Sequence, residues 1–146
     1  MSPSLIVVVE DDQAVRDLVS TFLEDEGYHV RMCSTTSDAV ACISRELPSL
    51  VILDLWIETR VSGWEVCAAL ARNPTTAPIP IIICTGVSPA LREQPAHIQP
   101  RYLAFLDKPF DLVDLLSTVE TALASVVHAE AFSSGHSGRG APGRVV

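Results

Sequence analysis

The sequence predicts an α/β fold, a doubly wound parallel sheet of five strands with five helices. Three observations predict it. Short, almost wholly apolar runs occur at Leu5–Val9, Leu50–Leu55 and Ile79–Cys84. Stretches with helical spacing of apolar residues separate them. The strand-like runs are continuous rather than alternating, as expected when a parallel sheet is covered on both faces.

Each element follows in order. Leu5–Val9 reads as a buried strand. The next stretch, Gln13–Glu26, carries Val15, Leu18, Val19, Phe22 and Leu23 on one helical face and stops at Gly27. Tyr28–Cys33 alternates in polarity, which predicts a more exposed strand near an edge. Thr36 or Ser37 is the expected cap of a helix that turns Ala39, Val40 and Ile43 inward. Leu50–Leu55 is the second apolar strand and contains one acid, Asp54. Gly63–Ala71 reads as a short helix with Val66, Ala69 and Leu70 inward. Ile79–Cys84 is the third, with Pro80 near its start, where a missing N–H is tolerated. Residues 89–101 are expected to hold a short or irregular helix, because Pro95 and Pro100 interrupt it. Tyr102–Leu106 is the last strand. Asp111–Val127 is the clearest helix, with Asp111 as its cap. The domain is expected to span residues 1–132, and the Gly- and Ser-rich residues 133–146 read as a flexible tail.

Bulk properties narrow the function. A chain of 146 residues favours a single domain, and 48% hydrophobic residues suffice for a core. The formal net charge is −8 with no block of lysine or arginine, so no nucleic-acid partner is expected. Cys33, Cys42, Cys67 and Cys84 form no CxxC pair and lie in apolar segments. They read as buried free thiols in a reducing, cytoplasmic setting. The first apolar run is too short for a signal peptide. No segment reaches the roughly 20 apolar residues of a membrane span, so no membrane partner is expected.

The chemistry-bearing residues gather at strand ends. Glu10, Asp11 and Asp12 end the first strand, Asp54 the third and Thr85 the fourth. Lys108, followed by Pro109, ends the fifth. In such sheets ligands bind at the carboxyl edge. Clustered carboxylates raise one another's pKa and are tolerated beside a hard divalent cation such as magnesium. A lysine offsets their charge, and a threonine hydroxyl can donate to a phosphoryl oxygen. An aspartate in that setting can attack phosphorus, because phosphoryl transfer is mainly stabilised electrostatically. Taken singly, each residue has a plainer role: a helix cap, a Lys-Pro turn, a tight Thr-Gly connection, or acids complementing a helix dipole. Together they point to phosphoryl chemistry.

With these residues the chain resembles the receiver family of two-component signalling, the response-regulator type. The matching stretches are V-V-V-E-D-D, V-I-L-D-L, I-I-I-C-T-G and F-L-D-K-P-F, spread between Leu5 and about Val127. The resemblance implies a flavodoxin-like strand order of 2-1-3-4-5. It implies that Asp54 is the phosphoacceptor and so the modified residue, with Thr85 and Lys108 completing the catalytic set. Asp11 and Asp12 match the acidic pair, Asp12 ligating magnesium directly and Asp11 through water, with Glu10 a secondary candidate. The main-chain carbonyl of Trp56 matches the third protein ligand. Thr85 matches the switch hydroxyl, and Gly86 leaves room for the phosphoryl group. Phe105 matches the aromatic that swings inward when Thr85 moves. Pro109 is expected to follow a cis bond.

The implied partner is a sensor histidine kinase or a phosphotransfer protein. The chain is then a phosphoacceptor and not an enzyme, apart from self-dephosphorylation. No output domain is visible after the last helix, so the expectation is a stand-alone receiver that binds a downstream protein partner or a relay that passes phosphate on. An apolar stripe on the last helix leaves a homodimer open. The run after Asp54, L-W-I-E-T-R-V-S-G, departs from the family pattern: it lacks the usual proline and has one extra residue. Trp56 within it is expected either to shield an acyl phosphate from water or to meet solvent or a partner. Two rivals remain. A phosphatase of the haloacid dehalogenase type needs a second acid where Trp56 stands. A pseudo-receiver that is never phosphorylated would not need the full set of acids, Thr85 and Lys108.

Overall fold

The computed structural model describes residues 3–87, 95 and 102–133, with the side chains of the last helix described as far as residue 125. In chain order the elements are β1 (Leu5–Val9), α1 (Gln13–Asp25), β2 (His29–Cys33), α2 (Thr36–Glu46), β3 (Leu50–Leu53), β4 (Trp56–Ile57), β5 (Arg60–Val61), α3 (Gly63–Arg72), β6 (Ile81–Thr85), β7 (Leu103–Asp107) and α4 (Leu112–Ser133). The expected helix at 89–101 and the expected tail lie outside the described residues, apart from Pro95 and Ser133.

The apolar runs become the inner strands. Five parallel strands form one sheet in the order β2-β1-β3-β6-β7. This is the expected 2-1-3-4-5 order once the short β4 and β5 are set aside. Side chains alternate across a strand, so each run feeds two cores. Val7, Val9, Val51, Leu53 and Ile83 pack toward α2 and α3, against residues such as Ile43 and Leu70. Ile6, Val8, Ile52 and Ile82 pack on the other side, against Val19, Leu23, Leu115 and Val119 of α1 and α4. The edge strand β2 is mostly exposed, as its alternation predicted. All four cysteines are buried and free, and burial pushes the thiols of Cys33, Cys67 and Cys84 up to about 12.

Helix ends follow local chemistry. Asp12 caps α1 through its side chain. Gly27, at φ +97°, lets the chain leave that helix, with its amide bonded to the Glu24 carbonyl. The cap of α2 is Thr35, whose hydroxyl accepts from the Asp38 amide, rather than Thr36 or Ser37. The hairpin of β4 and β5 was not expected. It is antiparallel, with Trp56 opposite Val61 and Ile57 opposite Arg60.

Gly63 positions α3 against the backbone that leaves β3. A Cβ built there would lie 2.7 Å from both the Asp54 carbonyl oxygen and the Leu55 Cα. Backbone atoms cannot yield as a flexible side chain can, so only glycine lets the helix start this close. Gly63→Ala is expected to cost about 1–3 kcal/mol of stability in urea unfolding. A loss below about 0.5 kcal/mol, the range of neutral surface changes, would show that the helix has room to withdraw.

Candidate functional site

The strand registers bring the polar strand ends to one edge. Val9 pairs with Leu53, and Thr85 with Asp107. Glu10, Asp54 and Lys108 each follow directly on one of these residues. Lys108 Nζ donates to Asp54 Oδ2 at 2.9 Å and also to Glu10 Oε1. The other Asp54 oxygen, Oδ1, accepts from the Trp56 amide at 3.0 Å. Both carboxylates are buried, whereas the Lys108 side chain is about a quarter exposed.

Burial sets the electrostatics here. It pushes the Glu10 carboxyl above the usual glutamate value, and the nearby charge of Asp54 adds to this; Lys108 pulls it down without cancelling the effect. Burial also works against the Lys108 charge, but the bonds and charges of Glu10 and Asp54 hold its pKa above the ordinary lysine value. The geometry thus couples one cation to two acids.

The three consecutive acids divide differently from the expectation. Asp12, expected to ligate magnesium directly, is committed to the helix: its Oδ1 accepts from the amides of Ala14 and Val15 at 2.9 and 3.2 Å. Glu10, a secondary candidate, instead turns inward beside Lys108 and Asp54, and its Oε2 accepts from the Asp12 amide. Asp11 Oδ2 accepts from the Glu58 amide at 3.1 Å. A sequence signal for this division existed, since the residue just before a helical run is its natural cap. Among the described residues no three Asp, Glu, His or Cys side chains form a ready-made metal group.

A family model for the response regulator receiver domain matches residues 6–120. The chain belongs to this family. It is 32% identical over 118 residues to the DNA-binding dual master transcriptional regulator RpaA of Synechocystis, covering 81% of this chain and 48% of that protein. It is 30% identical to an uncharacterized 14.6 kDa protein of Leptolyngbya boryana, covering 79% of this chain and 86% of the other. Among solved structures, a CheY-like receiver domain protein from Methanospirillum hungatei superposes with a TM-score of 0.76 at 26% identity, covering 88% and 99% of the two chains. The chain spans about half the length of the first of these relatives and about a quarter of the NtrX protein of Azorhizobium caulinodans.

The remaining receiver positions fall where the strand ends place them. Thr85 is buried, its hydroxyl accepts from the Val87 amide at 3.0 Å, and its carbonyl accepts from the Lys108 amide at 2.9 Å. The Lys108–Pro109 bond is cis, as expected. Phe105 is 38% exposed and meets the Trp64 ring edge-on, with centroids 6.3 Å apart. An open depression of about 380 Å³ is lined by Asp54, Trp56, Gly86, Val87 and Lys108. Asp54, Thr85 and Lys108 are therefore brought together, whereas the Asp12 carboxylate is held by its helix.

The receiver site depends on the lysine in a pH-dependent way. In Lys108→Met, Glu10 loses its cation and its folded-state pKa rises further. A carboxyl whose pKa is raised by folding contributes stability below its unfolded pKa of about 4.3 and loses it as pH rises through the folded value. The penalty of Lys108→Met should therefore grow between about pH 4 and pH 7, reaching about 1–3 kcal/mol. Urea unfolding at both pH values checks this, and a penalty independent of pH contradicts it.

Proposed function

We propose that the chain accepts a phosphoryl group on Asp54. The observation that carries this reading is the Lys108 ammonium bonded to both Asp54 and Glu10 beside an open depression. A phosphohistidine on a sensor histidine kinase or a phosphotransfer protein is the donor. An Asp54 carboxylate oxygen attacks phosphorus and the P–N bond breaks. Its electron pair stays with the imidazole, which leaves as the neutral partner after taking up a proton. Lys108 offsets charge on the transferring group. The chain then acts as a phosphoacceptor and switch, not as an enzyme on a third molecule.

Magnesium suits the donor set. Glu10, Asp11 and Asp54 supply only oxygen, and Lys108 balances their charge only in part. Magnesium keeps several waters and takes one or two carboxylates, so it does not require a preformed group of three. Asp11 and Asp54, with the Trp56 carbonyl, are the residues we assign to hold it, and Glu10 supports from behind. When bound, it would neutralise charge on the phosphoryl oxygens. Asp12 keeps its cap.

A phosphoryl group on Asp54 adds negative charge beside Lys108 and Thr85. The Thr85 hydroxyl exchanges its bond from the Val87 amide for one donated to phosphate, and Phe105 repacks from its half-exposed place against Trp64. The altered β6–β7 face then meets a downstream protein. Trp56, at the rim of the depression and 46% exposed, stands where it can slow water's approach. With a net charge of −8, a protein partner suits this surface better than nucleic acid.

Incubation with magnesium and a small acyl phosphodonor tests the reading. The parent should gain the mass of one phosphoryl group in a hydroxylamine-sensitive form, and Asp54→Asn should not. At limiting magnesium, Asp11→Asn should react about tenfold more slowly. Asp12→Asn should stay within about twofold, because asparagine caps a helix as well as aspartate. No mass gain in the parent sinks the phosphoacceptor reading. A slower Asp12→Asn than Asp11→Asn returns the metal to Asp12.

A further inference from the structure

The hairpin after Asp54 bonds both Asp11 and the start of α2 through Glu58. Glu58 and Thr59 form its tip with φ of 56° and 63°, both in the left-handed region. Paired left-handed residues suit a two-residue hairpin, but they are usually glycine, asparagine or aspartate, for which the conformation is cheap. The strained turn aims Glu58 in two directions. Its amide donates to Asp11 Oδ2 at 3.1 Å. Its Oε1 accepts from the amide of Thr36, the first residue of α2, at 2.8 Å. A second tie holds the same seam, as the Thr36 hydroxyl bonds the Ser62 hydroxyl and Ser62 donates to the Ile57 carbonyl. Ser62 is fully buried and makes no side-chain cap for α3, so its hydroxyl is spent on the hairpin.

We propose that Glu58 is a positioning residue for divalent-cation binding by Asp11. A carboxylate turns readily about its terminal bond, so a hydrogen bond that fixes one oxygen also sets the direction of the other. The Glu58 carboxylate, held by the α2 amide, keeps the Glu58 amide in place against Asp11. The role requires a hydrogen-bond acceptor at the end of the side chain, not a negative charge. This inference rests on Asp11 being a magnesium ligand.

Magnesium titration of the full chain, followed by tryptophan fluorescence with no phosphodonor present, tests it. Glu58→Gln keeps the acceptor and should bind magnesium within about twofold of the parent, whereas Glu58→Ala should bind about tenfold more weakly. Equal affinity of Glu58→Ala and the parent overturns the proposal. So does Glu58→Gln as weak as Glu58→Ala, because charge would then be the operative property. A parent with no magnesium response overturns the metal reading as well. Should Glu58→Ala fail to fold, amide exchange in the magnesium-free protein decides: Asp11→Ala, which removes the acceptor, should speed exchange of the Glu58 amide, and an unchanged rate overturns the proposal.

Discussion

One lysine bonded to two buried carboxylates is the constraint on which the rest of the site depends. Lys108 reaches Asp54 and Glu10, residues 54 and 98 positions away in the chain. Three strands must therefore end in register for the contact to exist. Without the lysine, two like charges would sit together at the edge of a dry sheet, where an unpaired charge is costly. With it, the edge still holds more negative than positive charge. That imbalance is what the proposed cation would offset and the proposed phosphoryl group would add to.

The hairpin shows how a receiver can depart from its family's loop and keep the site in order. The usual proline is absent, and a two-residue turn with left-handed Glu58 and Thr59 stands in its place. Backbone strain of that kind costs about 1–3 kcal/mol per residue and persists where its surroundings hold it. Here they are the Asp11 carboxylate, the start of α2 and the Ser62 hydroxyl. Gly63 then lets α3 begin directly against the Asp54 backbone, so the loop has little slack.

Much of this was legible in the sequence, for physical reasons. The inner strands were visible because continuous apolar runs have few other uses, and Asp54, Thr85 and Lys108 were visible because each ends or follows such a run. That Asp12 caps α1 while Glu10 turns inward to Lys108 was not foreseen. Three acids in a row give no change of polarity to mark which one turns inward, and a slip of one residue moves a side chain to another face. Treating Asp12 as the cap of Gln13–Asp25 would have resolved it. The hairpin was hidden because Glu-Thr carries none of the Asn-Gly or Asp-Gly chemistry that announces such a turn. The α2 cap fell earlier than expected because four successive hydroxyl residues, Ser34, Thr35, Thr36 and Ser37, compete for it.

The coupling of the two acids through Lys108 is open to direct measurement. Carbon-detected magnetic resonance can follow the Glu10 carboxyl through a pH titration without magnesium, in the parent and in Asp54→Asn. Glu10 should titrate above the ordinary glutamate value in the parent. It should titrate lower in Asp54→Asn, where the like charge is gone and Lys108 serves Glu10 alone. An ordinary Glu10 pKa in the parent, unchanged by Asp54→Asn, would contradict the account.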